Sequence, residues 1–209
     1  MGVTSVTEAC AFLGDGMSRA EALEPTVHGR GRLIGEVGLD EAHFGVHSTI
    51  LLARGIGIDG AQWTGVTTAI ATEWLRSGRV DAVVVAGSDS DSGFGAPRPV
   101  LCRTPAEVLE GRRVKPSLCP SLEILDEVRD DDSIRNLLFC GVGCAVQALR
   151  AMNGGAPEEA LGLAAGGLWV LGTHCVDNSP SPEAAKRFVS AIPGVGTGRA
   201  DDVVACMPC

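Results

Sequence analysis

From residue 64 onward, short apolar runs rich in β-branched residues alternate with stretches of helical periodicity. The apolar runs at residues 80–86, 136–141 and 168–172 predict buried strands, and residues 99–103 predict a short extended piece. Apolar positions at three- and four-residue spacing predict helices over residues 44–54, 64–77, 121–128, 143–152 and 182–191. A further helix is predicted to begin at Thr104, because Pro105 and Glu107 follow it.

This alternation predicts an α/β fold with a mostly parallel sheet flanked by helices. The predicted division is an irregular N-terminal segment over residues 1–43, an α/β domain over 44–193 and a tail over 194–209, truncated or non-native. Ligands of such sheets bind outside the carboxyl ends of the strands. The turns after Ala86, Phe139 and Leu171 are therefore the places to look for chemistry.

The composition of the chain disfavours two classes of protein, nucleic-acid binders and disulfide-rich proteins. The 209 residues carry a formal net charge of -9, which disfavours a nucleic-acid surface because phosphate contacts need clustered Lys and Arg. Eight cysteines in a chain of this size, without a signal peptide at its start, indicate ligands, catalytic thiols or small core residues rather than a disulfide framework. No transit peptide is recognisable in the first residues.

Residues 60–68 form the first candidate, a glycine- and threonine-rich turn that opens a helix. The backbone N–H groups of a helix N-terminus favour anions, so this turn suits a phosphate or pyrophosphate. Thr64 and Gly65 are also ordinary capping residues, which is the structural alternative.

The second and third candidates follow predicted strands. In residues 139–144, Gly141 and Gly143 would let the backbone approach a flat or charged ligand, and the first helical turn would favour a thiolate at Cys144. The alternative is a tight turn with a small buried thiol. In residues 172–178, His174 and Cys175 are possible metal ligands, although zinc is disfavoured because no Cys pair precedes them at zinc-ribbon spacing. Asp177 and Asn178 could equally be ordinary turn-forming residues.

The remaining residues of interest carry weaker signals. Cys102 and Cys119 are predicted to be packing thiols, and Arg98 and Lys115 are either phosphate contacts or solvated charges. Neither a Gly-x-Ser-x-Gly elbow nor a P-loop occurs, which disfavours a serine hydrolase or a nucleotide hydrolase.

Taken together, these segments resemble the beta subunits of deazaflavin-dependent hydrogenases and dehydrogenases. The resemblance extends from about Cys10 to Phe188 and is carried by the motifs ACAFLGDGMS (9–18), HGRGR (28–32), FGVH (44–47), GAQWTG (60–65), RPVL (98–101), RTPAEVL (103–109), KPSL (115–118), CGVGC (140–144), QALR (147–150) and GTHCVDN (172–178). Within the family, the likeness is strongest to the branch that reduces 7-hydroxymethyl chlorophyll a to chlorophyll a.

The resemblance implies FAD, iron–sulfur clusters of the 4Fe-4S type, reduced ferredoxin as electron donor and a chloroplast location. It implies a flavin site formed by Gln62, Trp63, Thr64, Gly65, Thr67, Thr68, Lys115, Gly141 and Gly143, and cluster ligation by Cys10, Cys144 and Cys175. It assigns no proton donor, so the catalytic residues stay unknown. Two further cysteine motifs of the family lie outside this chain, and Cys206 and Cys209 do not match them, so the ligand set is expected to be incomplete.

Three other interpretations remain open at this point. The first is an 8-vinyl reductase of chlorophyll synthesis from the same family. The second is a non-catalytic flavin-binding fragment, and the third is an α/β domain with buried free thiols. A homo-oligomer is compatible with each of them.

Overall fold

The computed structural model describes residues 10–35, 40–61, 64–88, 96–113, 115, 117–152, 156–175, 180–191 and 193. Within these ranges the helices are α1 Gly16–Ala22, α2 Glu24–His28, α3 Glu41–Phe44, α4 Val66–Arg76, α5 Pro105–Glu110, α6 Leu125–Arg129, α7 Gly143–Ala151, α8 Pro157–Ala160 and α9 Pro182–Ser190. The strands are β1 Ala82–Ser88, β2 Pro97–Cys102, β3 Leu137–Val142 and β4 Leu168–Thr173.

The four strands form one mixed sheet in the order β2-β1-β3-β4. β1 pairs with β3 and β3 with β4 in parallel, whereas β2 lies antiparallel on the outside of β1. The mostly parallel α/β fold predicted from the sequence is confirmed. Pro97 and Pro99 lie in β2, at the edge of the sheet, where proline is tolerated because an edge strand needs fewer N–H donors.

Alternate residues of the strands enter two separate hydrophobic cores, one on each face of the sheet. Ala82, Val84 and Phe139 pack against residues of α6 and α7 and against the leucines that follow α8. Val83 and Leu138 pack on the opposite face against residues of α4 and α5. Burial on both faces explains why these strands are continuous apolar runs rather than alternating ones.

Local sequence signals mark the ends of three helices, and the start of α5 at Thr104 is as predicted. Thr104 forms a capping box with Glu107 at the start of α5, with Pro105 in the first turn. The Ser181 hydroxyl accepts from the Ala184 N–H at 3.2 Å and so caps α9. Gly78, with φ +69°, takes the left-handed conformation where α4 ends.

Three regions differ from the sequence-based expectation. The helix predicted over residues 44–54 is wrong: α3 ends at Phe44, and residues 45–55 have no regular structure. Gly45 ends α3 with φ +71°, and the apolar side chains that suggested a helix, such as Leu51 at 79% exposure, find no surface to pack on among the described residues. The helix over 121–128 is reduced to α6, preceded by turns. The N-terminal segment predicted as irregular contains α1 and α2.

No helix in the described part of the chain is long and apolar enough to cross a membrane.

Candidate functional site

The carboxyl ends of β1, β3 and β4 lie along one edge of the sheet, because the three strands are parallel. Val142, the last residue of β3, is paired with Thr173, the last residue of β4. The Thr173 hydroxyl donates to the Gly141 carbonyl oxygen at 3.2 Å and holds the two strand ends together. The turns predicted to carry chemistry after β3 and β4 therefore lie side by side.

Gly143 gives the turn between β3 and α7 an open surface. An added Cβ would meet no atom within 4 Å at Gly143, whereas at Gly141 it would come within 2.7 Å of the Phe139 ring. Neither glycine has a positive φ, so neither is required here by backbone strain. The residue before α7, Val142, provides no side-chain cap. The first turn of α7 is therefore accessible and lacks a side-chain acceptor for its N–H groups.

The N-terminus of α4 is similarly uncapped. Gly65 is its N-cap residue with φ +68°, no described side chain caps its first turn, and that turn contains no acidic residue. The Gly55 N–H donates to the Thr64 carbonyl oxygen at 2.6 Å and fixes the turn before the helix. Thr67 and Thr68 lie in the first turn of α4, as predicted, while Gln62 and Trp63 lie outside the described residues.

Arg112, which follows α5, lies against the turn that leads to α4. Its Nη1 donates to the Leu109 carbonyl oxygen at 2.6 Å, whereas its Nε is buried and has no hydrogen-bond partner among the described residues. The guanidinium fits there because Gly60 has no side chain: a Cβ on Gly60 would lie 3.1 Å from Nε. Sequence analysis missed this residue, since nothing in a Gly-Arg-Arg stretch distinguishes a buried guanidinium from a solvated one.

Lys115 lies close by but is already engaged. Its ammonium donates to the carbonyl oxygens of Arg112 at 2.8 Å and Arg113 at 3.0 Å, and also to that of Gly111. Burial lowers the pKa of Lys115 to about 8, even though these carbonyl groups favour the charged form. A phosphate contact by Lys115 would have to replace one of the three hydrogen bonds, because an ammonium has three donors.

The predicted metal ligands are only partly brought together. Cys144 and Cys175 each lie two residues beyond a paired strand end on the same sheet edge, Cys144 half-buried and Cys175 exposed. Cys10 precedes α1, and the described residues contain no group of three or more His, Cys, Asp or Glu side chains that could hold a metal ion. His174 is exposed at the end of β4, and Asp177 lies outside the described residues. The described residues thus contain no assembled cluster site.

Other thiols are packed in the interior. Cys102 and Cys140 are buried in the core under α4 and α5, and burial raises the pKa of each to about 12. Burial also raises the pKa of Cys119. Cys102 is a packing thiol, as predicted, and the two core thiols stay protonated at neutral pH.

The N-terminal segment contains a polar pocket that the sequence did not predict. A cavity of about 480 Å³ is lined by His28, Arg30 and His47 together with Val46, Ser48 and Thr49. Beside it, the buried Glu41 carboxylate accepts from Arg30 and, at 2.8 Å, from the Leu33 N–H. These hydrogen bonds lower the pKa of Glu41 to about 2, so that it stays ionised and joins the segment around Arg30 to α3.

Comparisons with known proteins identify the family. Residues 55–126 match the family model for the coenzyme F420 hydrogenase/dehydrogenase beta subunit, N-terminal part. The chain is also 50% identical over 190 residues, 90% of its length, to the chloroplastic 7-hydroxymethyl chlorophyll a reductase of Oryza sativa subsp. japonica. The chain belongs to the coenzyme F420 hydrogenase/dehydrogenase beta-subunit family. It spans 38% of the length of the rice protein.

Two further members illustrate the breadth of this beta-subunit family. The chain is 43% identical over 174 residues to an uncharacterized protein of Nostoc sp., covering 83% of the chain and 40% of that protein. It is 28% identical over 115 residues to a coenzyme F420 hydrogenase subunit beta of Methanosarcina barkeri, covering 54% of the chain and 39% of that subunit.

A solved structure supports the assignment of the fold. The chain superposes on a chain of the xenon-derivatized F420-reducing NiFe hydrogenase complex of Methanosarcina barkeri with a TM-score of 0.51 and 25% identity. The superposition covers 60% of this chain and 43% of that one. The two chains therefore share a fold over the superposed part.

The geometry at this sheet edge fits the flavin dinucleotide implied by the resemblance. The first turn of α4 has N–H donors without a described side-chain acceptor, which suits a bound anion. The open space over Gly143 suits a flat group lying on the backbone. The individual flavin contacts of Gln62, Trp63, Thr64, Gly65, Thr67, Thr68, Lys115, Gly141 and Gly143 stay predictions.

Proposed function

We propose that this chain is the flavin-binding part of an oxidoreductase that reduces 7-hydroxymethyl chlorophyll a to chlorophyll a. The observation that carries the proposal is the 50% identity over 190 residues to the rice reductase of that name. The same relative supports a chloroplast location and a chlorophyll-type tetrapyrrole as substrate. We further propose that reduced ferredoxin supplies the electrons, as the family resemblance implies.

In this proposal, the described residues bind and orient FAD. The backbone N–H groups of Val66, Thr67 and Thr68 hold the diphosphate at the N-terminus of α4, where no side chain competes with it. Gly143 provides a flat surface on which the ring system lies. When bound, the flavin supplies transfer of a hydride equivalent after accepting single electrons, while the protein supplies its position.

Cys144 and Cys175 are proposed as cluster ligands on the same sheet edge. Each lies two residues beyond the paired ends of β3 and β4, Cys144 half-buried and Cys175 exposed, and soft thiolates are suitable ligands of iron. Cys10 is proposed as a third ligand by resemblance alone, since no described contact brings it to this edge.

A second candidate function is a flavin-binding module that lacks catalysis. It is favoured by one observation: the described residues contain no assembled group of metal-ligating side chains. Iron content separates the two functions, because the reductase needs a cluster to receive electrons and the module does not.

An anaerobic visible spectrum of the purified chain, with flavin, iron and sulfide quantified, tests the proposal first. Flavin bands with a broad cluster shoulder are expected for the reductase, followed by conversion of 7-hydroxymethyl chlorophyll a with reduced ferredoxin. Flavin without iron would favour the binding module. A colourless protein that takes up neither FAD nor iron would contradict both functions.

Gly143→Leu tests the position of the flavin. A leucine side chain would fill the open space over the turn, so we expect FAD binding to be lost while the chain stays folded. Gly143→Ala is the matched control, since one methyl group leaves most of that space free. Equal FAD retention in the leucine variant would contradict the placement of the flavin on this turn.

A further inference from the structure

We propose that His47 is the axial ligand of the magnesium ion in the tetrapyrrole substrate, which binds over the cavity beside Glu41 and the exposed apolar residues that follow it. The inference rests on the proposed function for the identity of the substrate, and it assigns that substrate a binding site. A chlorophyll ring holds its magnesium among four nitrogen atoms and leaves an axial position for a ligand such as a neutral imidazole nitrogen.

The hydrogen bond of the His47 ring determines which of its nitrogens is available. Nδ1 donates to the Gly45 carbonyl oxygen at 2.9 Å, because a carbonyl oxygen can only accept. In a neutral imidazole the other nitrogen, Nε2, then carries the lone pair that binds a metal. Nε2 has no hydrogen-bond partner among the described residues. Metal-ligating histidines have this arrangement, in which the second ring nitrogen donates to a carbonyl or carboxylate group.

The cavity beside His47 provides space for a ligand. Its volume of about 480 Å³ is within the range of small-molecule sites, and His28, Ser48 and Thr49 contribute to its lining. Ser48 and Thr49 are exposed, so the cavity reaches the surface of the protein. A flat ligand can therefore approach His47 from the solvent side.

The buried Glu41 carboxylate connects the parts of the chain that form this cavity. It accepts from Arg30 Nη1 at 2.8 Å and from the Leu33 N–H at 2.8 Å. Its pKa is lowered chiefly by the Arg30 hydrogen bond, and the backbone N–H groups of Leu33 and His47 add to this effect. Arg30 and the backbone of His47 are therefore tied to one carboxylate, which positions the His47 ring before a ligand arrives.

Apolar residues directly after the cavity provide a second part of the surface. Ile50, Leu51 and Leu52 are 56%, 79% and 104% exposed, respectively. Contiguous exposed apolar side chains indicate a surface for a ligand or a partner. A tetrapyrrole is flat and largely apolar, so these side chains suit its ring edge or hydrocarbon tail, while His47 binds the metal at its centre.

This surface leads to the proposed flavin site. Thr49 in the cavity lining is six positions before Gly55, so their Cα atoms are separated by no more than about 22 Å. The Gly55 N–H donates to the Thr64 carbonyl oxygen at 2.6 Å, directly before α4. The apolar residues therefore lie on the stretch of chain that joins the cavity to the turn at which FAD is proposed to bind.

The test compares 7-hydroxymethyl chlorophyll a with its magnesium-free pheophytin, both dissolved in detergent. His47→Asn retains an amide N–H for the Gly45 carbonyl oxygen but is too short to reach the position of Nε2. We expect it to weaken binding of the magnesium pigment about tenfold or more and to leave the affinity for the pheophytin within about twofold. Titrations followed by the visible absorption of the pigments measure both affinities.

His43→Asn is the matched control. It makes the same substitution four residues earlier, at an exposed histidine in the last turn of α3 that does not line the cavity. Its affinity for both pigments should equal that of the wild type. Wild-type affinity of His47→Asn for the magnesium pigment would overturn the inference, as would equal losses for the two pigments.

A second variant keeps the test decisive if His47→Asn does not fold. His47→Gly removes the ring and leaves space for imidazole added from solution. Imidazole should restore much of the affinity of this variant for the magnesium pigment and should change neither its affinity for the pheophytin nor the affinities of the wild type. Absence of rescue in a folded His47→Gly protein would overturn the role assigned to Nε2.

Turnover separates failure of this inference from failure of the proposed function. If the wild type binds the magnesium pigment through His47 but does not convert it with reduced ferredoxin, the proposed function is contradicted and the binding site stands. If wild type and His47→Asn bind and convert the pigment equally well, the inference is overturned and the proposed function stands. A wild-type protein that converts the pigment but binds its pheophytin as tightly would also overturn the role of the magnesium ligand.

Discussion

The two edges of the sheet are built differently. At the amino edge, Asp81 accepts from the N–H groups of Arg135 at 3.0 Å and Asn136 at 2.7 Å, and the Leu137 N–H donates to the Gly167 carbonyl oxygen at 2.7 Å. Polar groups that lead into the strands there are paired with one another. At the carboxyl edge, Arg112 Nε is unpartnered and the space over Gly143 is empty.

The amino edge is also closed by aromatic packing. The Arg79 guanidinium lies 4.2 Å from the Trp74 ring centroid and 4.7 Å from that of Trp169, and the two rings meet edge to face at 5.3 Å. Such contacts stabilise without leaving donors for a ligand. The two edges therefore differ in their polar groups: those at the amino edge are paired or packed, whereas the first turns of α4 and α7 at the carboxyl edge have no side-chain cap.

Alanine substitution at one glycine of each edge should show the contrast most strongly. A Cβ at Gly167 would lie 2.3 Å from the Arg135 carbonyl oxygen, so Gly167→Ala should lower the free energy of unfolding by about 3 kcal/mol or more. Gly143→Ala meets no atom within 4 Å and should leave that free energy unchanged or raise it by up to about 1 kcal/mol. Urea denaturation measures both. Similar losses in the two variants would contradict the division between the edges.

The pH dependence of stability should reveal the cost of holding Lys115 at the carboxyl edge. Its pKa is about 8 in the folded chain, below the ordinary value of 10.5, so between these pH values the unfolded chain binds more protons. The contribution of Lys115 to stability should therefore rise from pH 8 to pH 10.5, by about 2–3 kcal/mol. The quantity to measure is the difference in unfolding free energy between wild type and Lys115→Met.

Taking this difference removes the contribution of the two core thiols to the pH dependence of stability. Cys102 and Cys140, with pKa values near 12 in the folded chain, contribute the opposite slope above pH 9, and they do so in both proteins. A difference that stays flat from pH 8 to pH 10.5 would mean that the three carbonyl oxygens offset the burial of Lys115.

The smallest expected effect comes from Asp81 at the amino edge. Asp81→Ala removes the acceptor of the Arg135 and Asn136 N–H groups, and we expect a loss of about 1–2 kcal/mol because water replaces part of the interaction. Asp126→Ala, which breaks only the exposed ion pair with Arg129, is the control and should cost less than about 0.5 kcal/mol. The FAD affinity of the folded Asp81→Ala protein should be unchanged. A loss of FAD affinity in this variant would show that the two edges are energetically coupled.

The sheet and the helix caps were predictable because their signals are local. Strands buried on both faces need continuous apolar runs, and those at β1, β3 and β4 were found within two residues of their observed ends. Thr104 and Ser181 cap helices through contacts three residues away, which sequence spacing encodes directly. The position of Gly143 at the start of α7 followed from the same strand-to-helix pattern.

The features that were not predicted depend on contacts between residues that are far apart in the sequence. Residues 45–55 have the periodicity of an amphipathic helix, but a helix of this kind needs a surface to cover, and the described chain provides none. The contact between Arg112 and the Gly60 turn joins positions that are more than 50 residues apart in sequence. The pairing of Glu41 with Arg30 similarly joins two segments whose charges look ordinary in isolation.

The prolines of β2 have a consequence for how copies of this chain behave at high concentration. β2 is an outer strand, and an exposed strand edge invites another chain to extend the sheet. Pro97 and Pro99 remove two N–H donors from that strand, so an incoming segment cannot form a regular ladder with it. The same two residues that mark β2 as an edge therefore protect the protein from polymerising through it.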